Sequence, residues 1–189
     1  MVTRAILLAA GSGSRFGGGK LLARLPDGTP IGLASWRNLS AALPDNVAVV
    51  RAGDTQLREL LESNGATVIE CSDADAGMSR SLIAGLQATQ ESDAWVVALG
   101  DMPYIKPATI RKVAAALDEG DLIVQPFYEG KPGHPVGFSG RLRDELMNIR
   151  GDEGAREVVK RHSDQRRRIV CDDAGILRDI DTQKDLGGN

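Results

Sequence analysis

Five short, largely apolar runs, separated by longer stretches of helical spacing, constrain this chain most. The runs are residues 5–9, 47–50, 67–70, 94–99 and 122–124. A strand that is apolar on both faces must be covered on both faces, which is the condition of a parallel sheet between two helical layers. The intervening segments 31–43, 55–62, 79–90 and 107–119 carry apolar residues at helical intervals. Repeated strand–helix–strand units of this kind predict an α/β fold, doubly wound, with a mostly parallel sheet in three α/β/α layers.

The pattern changes after residue 125. Residues 126–140 are rich in Pro and Gly and read as a loop or hairpin. Helical segments are expected at about 140–148 and 154–162. Short strands are expected at 168–171 and 176–177, and Asp179-Ile180-Asp181-Thr182 precedes a short helical tail. With 189 residues, one domain (1–189) interrupted by an insertion at about 126–165 is the expected organisation.

Composition narrows the function classes. Lys plus Arg is 23 against 26 Asp plus Glu, a formal charge of −3. Aromatic residues make up 4 %. Neither a broadly basic nucleic-acid surface nor a base-stacking platform is expected. No apolar run approaches the ~20 residues that cross a bilayer, so no membrane partner is expected. The first apolar run is broken by Gly11-Ser12-Gly13-Ser14-Arg15 and fits a core strand better than a signal peptide. Cys71 and Cys171 have no zinc spacing and fit free thiols in a reducing, cytoplasmic setting.

Chemistry concentrates where strands end. Gly11, Gly13, Gly17, Gly18 and Gly19 follow the first strand directly, with Arg15 and Lys20 among them. Such a loop lies at the carboxyl edge of a parallel sheet, where backbone N–H groups can approach phosphate oxygens. A dinucleotide GxGxxG would need Gly at Phe16, and a P-loop would need Gly at Ser14 and Ser or Thr at Leu21. Spacing alone also allows a plain surface turn. Asp101 follows the fourth strand, where it suits either a Mg²⁺ ligand or a helix cap.

Leu8-Ala9-Ala10-Gly11-Ser12-Gly13-Ser14-Arg15-Phe16-Gly17 with Lys20-Leu21-Leu22 resembles the signature of nucleotidyltransferases that act on a phosphorylated acceptor. It is most similar to the MobA-like group, the molybdenum cofactor nucleotidyltransferases. Further matching segments are 76–82, Leu99-Gly100-Asp101-Met102-Pro103, Gly133-His134-Pro135, 151–156 and 179–182. The resemblance therefore covers almost the whole chain. Residues 133–138 and 151–156 resemble the cytidylyltransferase branch. Three consecutive glycines precede Lys20, where many relatives carry other residues.

The resemblance implies a nucleotide-diphospho-sugar transferase-like fold and a set of roles. Arg15, Lys20 and Asp101 would be catalytic. Leu8, Ala9, Ala10, Gly11, Ser12, Gly13, Arg51, Asp73, Gly77, Ser79 and Ser81 would join them in holding the nucleotide. His134, Asp152 and Arg156 would face the acceptor, which makes residues 126–165 an acceptor-side insertion. Asp101 and Asp181 would hold Mg²⁺, with Asp179 and Asp181 alternating on one strand face. Helix caps explain Ser79 and Ser81 equally well, an internal ion pair explains Asp152 and Arg156, a structural role in the loop explains His134, and a turn with an N-cap before 182–186 explains Asp181.

The expected reaction is Mg²⁺-dependent transfer of CMP from CTP to a molybdopterin-type cofactor, with release of pyrophosphate. Ala10 stands where guanylyl-transferring relatives tend to carry Gly, and its methyl favours cytosine over the bulkier guanine. The alternatives are GTP- or CTP-dependent transfer to a sugar or polyol phosphate, and a non-catalytic molybdenum cofactor chaperone. Under the chaperone alternative a molybdenum enzyme would be the client. Among the remaining residues, Trp36 and Trp95 are expected in the core and His162 at a helix end. Arg161 and Arg166-Arg167-Arg168 are expected on a solvated face.

Overall fold

The computed structural model describes residues 1–151 and 154–186. The apolar runs form strands β1 (Thr3–Ala9), β2 (Asn46–Arg51), β3 (Thr67–Cys71), β4 (Ala94–Leu99) and β5 (Ile123–Tyr128). The helical stretches form α1 (Ile31–Ala42), α2 (Thr55–Glu62), α3 (Met78–Ala88) and α4 (Pro107–Asp118). Pro107 opens α4, where its missing N–H removes no helical bond.

The chain then adds β6 (Lys131–Pro132), β7 (Val136–Ser139), α5 (Arg143–Met147), α6 (Arg156–Arg161) and β8 (Arg166–Val170). The sheet runs β3-β2-β1-β4-β7-β5-β6, with β8 on β5. Pairs β1–β2, β2–β3, β1–β4 and β5–β8 are parallel, while β7 lies antiparallel between β4 and β5.

Side-chain alternation sorts the core into two layers. Ala5, Leu7 and Ala9 of β1 pack with α1, α2 and α4 through Leu39, Leu57, Leu61, Ile110 and Val113. Ile6 of β1 packs with Val49, Leu82, Leu86 and Trp95 on the opposite face, where Leu146 of α5 and Val158 of α6 also sit. Trp36 and Trp95 are core residues, and their indole N–H groups donate to Asn46 and Thr89.

Several expectations change. Residues 176–177 are no strand; Ala174–Leu177 is a 3-10 turn, because the buried Asp173 accepts from the Gly175 N–H and curls the chain. Asp179 and Asp181 share no strand face either. That segment is irregular, fastened by the Ile180 N–H donating to the Asp101 carbonyl at 2.9 Å. The expected helix at 140–148 divides into a 3-10 turn (Gly140–Leu142) and α5.

The arginine-rich end is exposed at Arg161, Arg167 and Arg168, as a solvated face would be, and several of its cations are paired. Arg161 and His162 both meet Glu145, so a side-chain partner holds His162 beyond any effect of its helix end. Arg167 meets Glu119 and Asp121. Arg166 and Arg168 stand 5.3 and 5.0 Å from the Phe127 ring centroid. No helix among the described residues is long and apolar enough to cross a membrane.

Candidate active site

The order of the sheet locates the site. From β1 the chain steps outward to β2 and β3, then returns to lay β4 on the other side of β1. Loops leaving β1 and β4 therefore diverge, and a crevice opens at their carboxyl ends. Leu8 and Leu99 are register partners, so Ala10–Ser12 and Asp101 emerge side by side. A hollow of about 410 Å³ lies there. Its walls include Leu8, Ala10, Gly11, Ser12, Lys20, Arg51, Asp75, Gly77, Ser81 and Asp101.

The loop after β1 folds back on itself so that Lys20 points inward. Gly13 has φ +58°, and a Cβ there would stand 3.0 Å from the Lys20 Cβ. Glycine meets both the left-handed conformation and the close approach. Lys20 is 12 % exposed, and its Nζ donates to Asp101 Oδ2 at 2.7 Å and Asp181 Oδ1 at 3.2 Å. Burial by itself would lower the Lys20 pKa. The Asp101 hydrogen bond and charge, then those of Asp181, outweigh it and hold the ammonium above its ordinary value. Arg15 is 80 % exposed and donates to Asp181 Oδ2 at 3.1 Å. Ser12, Gly13, Ser14, Arg15, Lys20 and Asp181 line an outer recess continuous with this cluster through Ser12 and Lys20.

Asp101 and Asp181 thus converge on one cationic point. Hard carboxylate oxygens suit Mg²⁺ or Mn²⁺. Among the described residues no set of three or more His, Cys, Asp or Glu is arranged to hold a metal. The protein offers two carboxylates, and a hexacoordinate ion would take its remaining oxygens from phosphates and water. Asp179 stands close to the pair. Burial, followed by the Asp181 and Asp101 charges, pushes its carboxyl pKa up.

The other expected nucleotide residues divide. Arg51, at the end of β2, pairs with Asp75 and reaches the Ala10 carbonyl at 3.4 Å. Asp75 rather than Asp73 lines the hollow, since Asp73 is occupied by Arg80 and by the Cys71 thiol. Ser81 faces the hollow, but Ser79 is fully buried on the other side of α3. The Ser79 N–H donates to the Gly151 carbonyl, and its Oγ finds no partner among the described residues. The Ala9 side chain turns into the α1-α2-α4 core layer, opposite to Leu8.

A second hollow of about 210 Å³ adjoins the first and shares Leu8, Met78 and Leu99 with it. Val97, Val136, Phe138 and Val159 make it largely apolar, while Gln125, His134 and Arg156 supply polarity. Burial, with Arg156 nearby and only partly offset by the Asp101 charge, pulls the His134 pKa down to about 4. The imidazole is therefore neutral at pH 7. Gln125 is clamped between Arg166, which donates to its Oε1, and the Gly133 carbonyl. Sequence reasoning did not select Gln125 and took Asp73 in preference to Asp75, because only tertiary contacts distinguish these residues from their neighbours. Asp152 lies outside the described residues.

The sequence model of the MobA-like NTP transferase domain matches residues 5–166. The chain belongs to the MobA-like NTP transferase family. The purine catabolism protein PucB of Bacillus subtilis is 27 % identical over 95 % of this MobA-like chain and 92 % of its own. Rv0371c of Mycobacterium tuberculosis, solved as a complex with manganese, superposes with a TM-score of 0.82 at 24 % identity. That match covers 99 % of this chain and 97 % of Rv0371c. A nucleotidyl transferase from Methanothermobacter has a TM-score of 0.81 at 23 % identity, over 97 % of this chain and 94 % of its own. This MobA-like protein thus has the nucleotidyltransferase fold, and its family implies a nucleoside triphosphate substrate.

Proposed function

We propose that this protein transfers CMP from CTP to the terminal phosphate of a molybdopterin-type acceptor and releases pyrophosphate. The observation that carries the reading is the convergence of Lys20, Asp101 and Asp181 at the switch point of the sheet, beside a separate and mostly apolar hollow.

An acceptor phosphate oxygen forms the new bond to the α-phosphorus, and the α–β bridging bond breaks with its electron pair leaving on pyrophosphate. A phosphate monoester is largely dianionic at neutral pH, its second pKa being about 6. The nucleophile needs no general base, so the work is alignment and charge compensation. Lys20 and Arg15 meet the charge that grows on the leaving group. Backbone N–H groups of Ala10 to Gly13 cradle the phosphates, and Ser81 and Asp75 face the base and ribose. A divalent cation on Asp101 and Asp181 would supply further charge neutralisation of the triphosphate, as the manganese complex of Rv0371c supports.

The Ala10 methyl lines the triphosphate hollow and favours the smaller base. Residues 126–165 form the acceptor side, where Arg156 offers a cation and the neutral His134 an uncharged hydrogen-bonding edge. The test is pyrophosphate release with Mg²⁺, each of the four ribonucleoside triphosphates, and a panel of phosphorylated acceptors. CTP with a pterin phosphate is expected to give the highest kcat/KM. Preference for GTP would reverse the base assignment, and preference for a sugar phosphate would reverse the acceptor assignment.

A further inference from the structure

We propose that Lys20 is the resident counter-ion of the divalent-cation seat and leaves it only when a triphosphate receives its ammonium. The proposal rests on the nucleotidyltransferase reading and adds a coupling between cation and nucleotide binding.

The Lys20 Nζ stands between the two carboxylates that would ligate a cation, 2.7 Å from Asp101 and 3.2 Å from Asp181. A divalent ion binds carboxylate oxygens at roughly 2.1 Å. It cannot take those oxygens while an ammonium holds them, because the two cations would repel at contact distance. The lysine is mostly buried, and its Cβ rests against Gly13. Entry of a cation alone must therefore break two charge-assisted hydrogen bonds and strand an ammonium in a part-buried place.

A triphosphate changes that balance. Lys20 lines both the inner hollow and the outer recess, so phosphate oxygens arriving in either can accept its N–H groups. The lysine then exchanges carboxylates for phosphates and frees Asp101 and Asp181 at the same moment. Arg15 is a second exposed arm on Asp181 and can swing in the same direction. Cation and triphosphate consequently help one another to bind, as reciprocal linkage requires. Without triphosphate the protein holds little cation.

Titration calorimetry with Mn²⁺ alone tests this on wild type and Lys20→Met. The variant is expected to bind Mn²⁺ about tenfold more tightly than wild type, although it loses turnover. Saturating inorganic triphosphate is expected to raise Mn²⁺ affinity more in wild type than in the variant. Equal or weaker Mn²⁺ binding by Lys20→Met overturns the proposal. Lys20→Gln serves if thermal melting shows that Lys20→Met does not fold. NMR of ¹³C-methylated lysines in the wild-type protein gives a second reading. The Lys20 signal should shift with Mg²⁺ plus triphosphate and stay in place with Mg²⁺ alone; a shift with Mg²⁺ alone also overturns the exchange. Intact turnover with unaltered Mn²⁺ affinity in the variant removes only the lysine exchange. Absence of Mn²⁺ uptake by wild type even with saturating triphosphate, together with absence of pyrophosphate release, removes the nucleotidyltransferase reading with it.

Discussion

Asp101 gathers three duties in one residue. Its carboxylate holds Lys20, its carbonyl accepts from the Ile180 N–H and so positions Asp181, and it closes the strand end at the crevice. Asp101→Ala should lower Mg²⁺-dependent pyrophosphate release by about a hundredfold or more, as loss of one preorganised charge in an active site does. Steady-state assays check this, and near-normal turnover would remove Asp101 from the chemistry. His134 supports a prediction of another kind. Its folded pKa of about 4 lies below the ordinary 6.5. Between those values the unfolded chain binds the extra proton, so stability falls as pH drops from 6.5 towards 4. The contribution is on the order of 3 kcal/mol. His134→Asn should flatten that part of the pH–stability curve, measured by urea denaturation. A curve parallel to wild type would mean that His134 already protonates normally in the fold.

At the scale of elements, strand and helix positions follow from apolar periodicity because burial on two faces or one stripe leaves a direct mark on the chain. The Asp173 turn left no such mark. This buried carboxylate accepts from the Lys106 N–H at 2.9 Å and the Thr109 hydroxyl at 2.6 Å, tying the start of α4 to Ala174–Leu177. Those partners lie more than sixty positions away, beyond the reach of any local pattern. Asp173→Ala should cost about 2–4 kcal/mol, because buried donors lose their acceptor. A midpoint unchanged in denaturant would show that water replaces the carboxylate. Helix α3 carries a comparable constraint at Gly85, where a Cβ would stand 2.6 Å from Ile6 Cγ2. Gly85→Ala gains about 1 kcal/mol of helix propensity but forces α3 away from β1. A net loss of stability is expected by calorimetry, and a raised melting temperature would mean that the layer yields.

For the whole molecule, the switch point between β1 and β4 brings residues 10–12, 20, 51, 75, 77, 81 and 101 around one hollow, with 13–15 and 181 on the recess beside it. A ligand that fits there stabilises only the folded chain. Triphosphate with Mg²⁺ at about a hundredfold over Kd should add about 2.7 kcal/mol, or roughly 5–10 °C in Tm for a chain of this size. Differential scanning fluorimetry checks it, and Mg²⁺ alone is expected to shift Tm far less. The motif resemblance, not spacing, singled out the glycine loop, Lys20 and Asp101 from a plain turn or a helix cap, and their positions at strand ends were legible in advance. The choice of Asp75 over Asp73, the retreat of Ser79 into the core and the Gln125–Arg166 clamp were not. Each depends on which way a side chain turns once distant segments have packed.

Local order in the sequence thus determined the layers and the sheet edge at which the hollow opens, because hydrophobic burial and backbone permissiveness act between near neighbours along the chain. Only the tertiary structure decided that Lys20 lies between Asp101 and Asp181, residues 81 and 161 positions away. Electrostatic pairing acts through space, and no spacing along the chain encodes a distance that folding alone creates.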